Sequence, residues 1–395
     1  MASKNLGRVI FFTTLFPDKN NPQFGYFNLM RARSIQTISE QLTVVVFYNL
    51  SIWRKYLMSS FDPIALYKTI IGMLKVPKKE IYEGIVVRRI FRLSLPYSIS
   101  WKSDLKSLLI FNHRYIRNLL AEVDPSLVVT SWLHPIGTYF GKYYNDRDFK
   151  ILAFIEGSDF LISAMKYDKM MQTSLSIGNC DRVITVSKAL NHEVLKKLKL
   201  SNIITLPNFY DDSVFFYMEK CRKDEIFRIL SVGGLNYVKG HDILLMALKE
   251  VKFKYELILV GEGPLMAEYT KFAKEHSINV CFVGTKSQKE IKELLSISDL
   301  FVMPSRSESF GIAAIEALAT GTPVIAASTG GLRENILDGS NGFLFSVESV
   351  GELVKAIEKA ASYNWDRKNI SKQTYNKFSR ERWQHNFLRI VKEIS

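Results

Sequence analysis

The chain has little cysteine: three residues, Cys180, Cys221 and Cys281, among 395. They are odd in number, far apart and without a C-x-x-C pair. That argues against a disulfide framework and a zinc site, and points to a reducing compartment. No apolar run reaches the roughly 18 residues that a membrane helix requires. Val9–Phe16 (VIFFTTLF) is short, carries two threonines and runs into Pro-Asp-Lys-Asn-Asn rather than a small-residue cleavage site. It reads as a first strand, not a secretion signal. Heptads, low-complexity linkers and tandem repeats are also missing, which argues against coiled coils and solenoids.

What is present suits a globular protein. At 395 residues and 47% hydrophobic content, the chain can form two domains with ample core. Its net charge of +14 is unevenly placed. Residues 1–200 hold 28 Lys+Arg against 15 Asp+Glu, and the remainder holds 25 against 24. Residues 51–120 hold 13 basic and 4 acidic residues, interleaved with ten aromatics that include Trp53, Tyr56, Tyr67 and Trp101. Such a surface attracts anionic lipid, nucleic acid or a charged glycan, or is simply a solvated basic face. No nucleic-acid-binding motif supports the second option, and the membrane surface is preferred.

The chemistry concentrates between Asp299 and Gly342. Leu300–Met303 reads as a buried strand ending at Pro304, and the loop Ser305–Ser309 leads into a helix from about Gly311 to Ala319. Gly321 follows that helix, and Pro323–Ala327 reads as a second buried strand running into Gly330-Gly331. This is the strand–loop–helix–strand unit of a parallel α/β sheet, which binds ligands beyond the carboxyl ends of its strands. Free N–H groups at Phe310, Gly311 and Ile312 open the helix and suit a phosphate. Glu316, one turn in, is placed to accept both hydroxyls of a ribose, and Glu308, on the loop, to hold hydroxyls of an attached sugar. Each glutamate, taken singly, also reads as an ordinary solvated charge.

The run PSRSESFGIAAIEALATGTPVIA resembles the E-x7-E signature of retaining glycosyltransferase family 4, the group 1 glycosyltransferases of GT-B fold. The resemblance implies an α/β protein of two Rossmann-like domains whose parallel sheets face a central cleft. Residues 1–208 would form the acceptor-binding domain and 209–375 the nucleotide-sugar domain, with a last helix from about 376 to 395 returning to the first. It also implies that Glu316 binds ribose, that Glu308 contacts the donor sugar, and that Ser309, Phe310, Gly311 and Ile312 line the sugar and phosphate. Ser309 stands where the family often has glycine.

In the first domain, the loop FPDKNNPQFGYFN after the first strand carries Phe24 and Gly25, and Gly25 lets backbone approach a ligand. By resemblance this loop faces the sugar phosphate and the acceptor. Tyr82–Ile90 reads as a strand with a turn, Ser103–Val123 as a helix, and Leu127–Thr130 as a strand leading to SWLHPIG. His134 there is either a catalytic base or an ordinary loop histidine. Ile151–Ile155 ends in Glu156-Gly157-Ser158-Asp159. The family often shows His-Gly-Ser-Asp here, so Glu156 replaces a histidine and is a candidate contact to a sugar hydroxyl or a cationic transition state. Asp159 joins it as a catalytic candidate and Ser158 as an acceptor-side one. Pro207-Asn208 resembles the family's Pro-Asn-Gly hinge, with Phe209 in place of glycine.

In the second domain, Arg228–Val232 leads to GGLNYVKG and a helix from His241. Glycines between a strand and a helix let amides reach phosphate, and Lys239 adds charge, although the pattern is neither G-x-G-x-x-G nor a P-loop. The family pattern is Val-Gly-Arg followed by Lys-Gly. Here Gly233 keeps the glycine while Gly234 occupies the arginine's place, leaving Lys239 to carry the diphosphate. Tyr255–Val260 ends in Gly261-Glu262-Gly263-Pro264, which adds Glu262 to the donor-side candidates.

Asp146-Arg147-Asp148 imitates an Asp-x-Asp metal motif, but its polar surroundings read as a surface loop, and no metal or other cofactor is expected. The expected function is transfer of a sugar, with retention, from a nucleotide diphosphate to a hydroxyl of a lipid-linked or cell-surface polysaccharide acceptor. Expected partners are the nucleotide sugar, the glycan or lipid-linked acceptor and an anionic membrane, but no nucleic acid. The expected location is cytoplasmic, at the inner face of the membrane. Two alternatives remain: a nucleotide-sugar epimerase of the same architecture, and a non-catalytic partner subunit.

Overall fold

The computed structural model describes residues 6–19, 21, 22, 24–50, 78–93, 108–157, 159, 160, 175–219 and 226–395. The basic, aromatic stretch 51–77, Trp101, Ser158 and Cys221 lie outside the described residues, as does the side chain of His134. Two compact units emerge. One comprises the described residues up to Thr185 together with Asn191–Leu206 and Gln384–Ser395; the other comprises Val186–Leu190 and Pro207–Trp383.

The first unit is built on an eight-stranded sheet: β1 (Leu6–Thr13), β2 (Ser39–Leu50), β3 (Lys79–Tyr82), β4 (Ile85–Leu93), β5 (Leu127–Ser131), β6 (Lys150–Ile155), β7 (Arg182–Thr185) and β8 (Ile203–Thr205). Their order is β3-β4-β2-β1-β5-β6-β7-β8, parallel throughout except for β3 against β4. Strands β5 and β6 are buried almost end to end, because helices cover both faces of such a sheet and alternation gives way to continuous apolar runs. Tyr82–Ile90 is a hairpin whose two turn residues, Glu83 and Gly84, both have positive φ (49° and 79°), the geometry of a two-residue type I′ connection. Of the helix expected over Ser103–Val123, residues 103–107 lie outside the described residues, and the rest is a π turn at Leu108–Asn112 followed by an α-helix at His113–Val123. Asp124, at φ 48°, ends it by donating its N–H to the Leu120 carbonyl.

The second unit has six parallel strands: β9 (Phe227–Val232), β10 (Tyr255–Val260), β11 (Val280–Gly284), β12 (Leu300–Met303), β13 (Val324–Ala327) and β14 (Gly342–Phe345). The order β11-β10-β9-β12-β13-β14 is the doubly wound arrangement in which the chain reverses direction between its first and fourth strands. A core of Ile229, Leu257, Val302 and Ile325 from the sheet packs against Leu244, Leu248, Leu353 and Ile357 of the helices His241–Glu250 and Val350–Ser362. Phe209, which replaces the hinge glycine, is 1% exposed and packs on the Trp383 ring at 5.0 Å. An aromatic ring there contributes to the core what a glycine cannot.

Candidate functional site

In the second unit the loops after β9 and β12 leave the sheet at its reversal point, where a doubly wound fold leaves a crevice. After β9 the chain turns through Gly233 and Gly234 into a 3-10 turn, Tyr237–Lys239, capped by the Asn236 side chain, which accepts the Lys239 N–H. The lysine stem lies along Gly233: a Cβ there would stand 3.5 Å from Lys239 Cγ and Cδ. A Cβ on Gly234 would be 3.0 Å from Asn236 Nδ2, so a larger residue crowds the cap. From this turn Lys239 Nζ donates to Glu308 Oε2 at 2.7 Å.

After β12, the loop brings Glu308 to the lysine, and Gly311, at φ 87°, opens the helix Ile312–Ala319. Among the described residues, the amides of Phe310, Gly311 and Ile312 donate no backbone hydrogen bond. The Phe310 ring is buried against Phe378, and its carbonyl accepts from Asn335 Nδ2 at 2.8 Å, which fixes the loop. Ser309 is half-buried beside it. Glu316 is 5% exposed, and burial, with the Asp211 charge nearby, pushes its carboxyl up to about 8. Glu262 is exposed on the β10 loop, and its carbonyl accepts the Leu235 N–H at 2.9 Å. Among the described residues this edge brings together the Lys239 ammonium, the Glu308 carboxylate in contact with it, the buried Glu316 carboxyl and the amides of Phe310–Ile312.

Two residues at this edge escaped the sequence reading. His241 is buried, and burial, with Lys239's charge adding to it, pushes its imidazole down to about 4, so it is neutral near pH 7. Its Nδ1 has no partner among the described residues. Arg306 binds Asp242, Glu348 and the Tyr237 carbonyl. The signal for Arg306 was in the quoted motif, but its partners lie 64 and 42 residues away.

In the first unit, three of the candidate residues are engaged by the chain itself. Gly25, at φ 71°, is required by the chain itself, because a Cβ there would collide with the Leu15–Phe16 backbone. Glu156 is not a free sugar ligand: Ser131 Oγ donates to its Oε1 at 3.0 Å, and Arg31 grips both of its oxygens. The Arg31 side chain is 0% exposed, and Glu156, 15% exposed, is the counter-ion of this buried guanidinium. Asp159 is 2% exposed and accepts the N–H groups of Leu133 (2.7 Å), Glu156 (3.1 Å) and Gly157 (2.8 Å). It braces the loops after β5 and β6 rather than presenting a free catalytic oxygen, and burial pushes it up to about 6. Phe24 is 43% exposed, and the His134 backbone lies in the turn Leu133–Gly137. Just before that turn, Trp132 has φ 81°, a strained value for a bulky residue.

Asp146 and Asp148 are exposed in a loop, and Arg147 between them binds Asp181. Among the described residues, no group of three or more His, Cys, Asp or Glu is placed to hold a metal, and no helix is long and apolar enough to cross a membrane.

Two units on largely parallel sheets make an α/β protein whose solved structural neighbours have the GT-B fold. The structure superposes on sucrose-phosphate synthase from Thermosynechococcus elongatus with a TM-score of 0.76 at 18% identity, covering 98% of this chain and 99% of that one. It also superposes on Anabaena HepE in complex with UDP, with a TM-score of 0.71 at 16% identity, covering 98% and 100%. Residues 217–377 match the family model of glycosyl transferases group 1. The chain is 26% identical over 318 residues to an uncharacterized glycosyltransferase of Methanocaldococcus jannaschii, covering 80% of this chain and 86% of that protein. Other curated relatives are matched over 50% to 62% of their length. Over residues 217–377 the chain resembles the group 1 glycosyltransferases, and these similarities indicate a glycosyltransferase.

Proposed function

We propose that this glycosyltransferase moves a hexose-type sugar, with retention, from a nucleotide diphosphate to a hydroxyl of a lipid-linked or cell-surface polysaccharide acceptor. The observation that carries the donor half is the contact of Lys239 with Glu308 at the reversal point of a doubly wound sheet, one turn from buried Glu316. Lys239 and the free amides at Phe310–Ile312 would neutralise the leaving diphosphate without a metal. Glu316 would accept the ribose hydroxyls, and Glu308 would hold hydroxyls of the sugar. With Glu156 and Asp159 committed to internal bonds, the donor's own phosphate oxygen would assist the incoming hydroxyl on the face it leaves.

The acceptor half rests on charge. Between residues 51 and 120 basic residues outnumber acidic ones 13 to 4. Arg88 and Arg89 are paired internally, with Glu122 and Glu80, but Lys78, Lys79, Arg114 and Arg117 are exposed. Ile110 (70%) and Phe111 (64%) are exposed close to those arginines. Apolar and basic side chains together suit the cytoplasmic face of an anionic membrane.

The first test is a thermal-shift screen of UDP-, GDP- and ADP-sugars on the wild type and on Glu316→Ala. A donor at a hundred times its dissociation constant adds about 2.7 kcal/mol to stability. Stabilisation of the wild type alone supports the donor site; none with any donor overturns it. NMR of the product's anomeric configuration then tests retention.

A further inference from the structure

Arg306 lies two residues before Glu308 on the same loop, with its side chain 14% exposed. Its guanidinium donates to both oxygens of Asp242 (2.9 and 2.6 Å), to Glu348 Oε1 (2.8 Å) and to the Tyr237 carbonyl (2.7 Å). Its plane stacks on the Tyr237 ring at 3.9 Å, and its main-chain N–H donates to the Val238 carbonyl at 2.8 Å. Tyr237 and Val238 are the two residues before Lys239; Asp242 lies in the first turn of the helix that follows it. Arg306 therefore grips the chain on both sides of Lys239.

We propose that Arg306 is the positioning residue of the diphosphate site, fixing the turn that places the Lys239 ammonium against Glu308. This rests on the donor reading above. The guanidinium is not itself a phosphate ligand, because Asp242, Glu348 and the Tyr237 carbonyl already occupy four of its five N–H groups. A flexible lysine stem loses rotamer freedom whenever it is held, and a fixed root reduces what remains to be ordered on binding. Gly234 supplies no second cation, so the site depends on where Lys239 points. Lysine at 306 lacks the planar fork that serves Asp242 bidentately while stacking on Tyr237.

The test is calorimetric titration of inorganic pyrophosphate into the full chain as wild type, Lys239→Ala, Arg306→Lys and the double variant. Lys239→Ala is expected to weaken binding by about tenfold or more, the loss of one charge-assisted contact. Arg306→Lys is expected to weaken it by about three- to tenfold, and the double variant to bind no more weakly than Lys239→Ala, since Arg306 acts through Lys239. Glu348→Gln, at a carboxylate 56% exposed, gives a milder loss of the same sign should Arg306→Lys fail to fold. Unchanged affinity in Arg306→Lys, or two losses that multiply in the double variant, overturns the proposal and leaves the donor site standing. Unchanged affinity in Lys239→Ala, or a wild type that binds neither pyrophosphate nor UDP, GDP or ADP, overturns both.

Discussion

Lys239 Nζ stands 2.7 Å from Glu308 Oε2, so each of these residues is the other's counter-ion. A bound diphosphate would take over the ammonium and release the carboxylate toward the sugar hydroxyls. Glu308→Gln removes the competitor for Lys239. Affinity for the nucleoside diphosphate is then expected to rise by about two- to fivefold, while turnover falls by about a hundredfold. Weaker nucleoside diphosphate binding by calorimetry would refute this exchange of partners.

Glu316 gives stability a pH dependence. Unfolded, its carboxyl titrates near the ordinary glutamate value, about 4.3; folded, burial raises it to about 8. Between those values the folded chain keeps a proton that the unfolded chain releases, so stability falls as pH rises through that window. Glu316→Gln removes this loss. Its stability relative to the wild type should increase from pH 5 to pH 9 by on the order of 1–3 kcal/mol. Urea midpoints at several pH values read this directly, and a constant difference would contradict it.

Removing Glu156 strands a buried guanidinium. Glu156→Ala is expected to cost about 3–5 kcal/mol, and Glu156→His, which installs the residue the family often carries, is expected to destabilise as well. Pairing Glu156→Leu with Arg31→Met should recover most of the loss, because an apolar pair of similar volume replaces a buried ion pair. Denaturant titration of the three variants decides it.

Asp159→Ala orphans three buried N–H groups and is expected to cost about 2–4 kcal/mol. Asp159→Asn, which keeps one side-chain oxygen, is expected to lose less. Equal stabilities of the two variants would show that the carboxylate does not brace these loops.

The strands were legible because a parallel sheet covered on both faces writes itself as short, unbroken apolar runs, as at Leu300–Met303. The place of Glu316 in its helix, and of Phe310–Ile312 at that helix's start, was legible because both depend on spacing within one loop and one helix. The Arg31–Glu156 pair joins residues 125 positions apart, and the Arg306 clamp reaches 64 positions back to Asp242 and 42 forward to Glu348. Periodicity describes neighbours along the chain, whereas these contacts exist only once strand order has been set. The same limit made Glu156 read as a ligand: its counter-ion sits on the helix after β1, where the sequence shows two arginines, Arg31 and Arg33, and does not mark which one is buried.

Gly240 and Gly330 bring this to a practical point. A methyl group on the first would land in the Pro304 carbonyl, and on the second in that of Glu308, so main chain rests on main chain. Backbone shape therefore keys these loops together beside the Arg306 clamp. Under the proposed donor reading, exchanging exposed Glu262 or half-buried Ser309 would alter the edge while this backbone frame keeps its form, whereas a single added carbon at Gly240 or Gly330 would spring the frame itself.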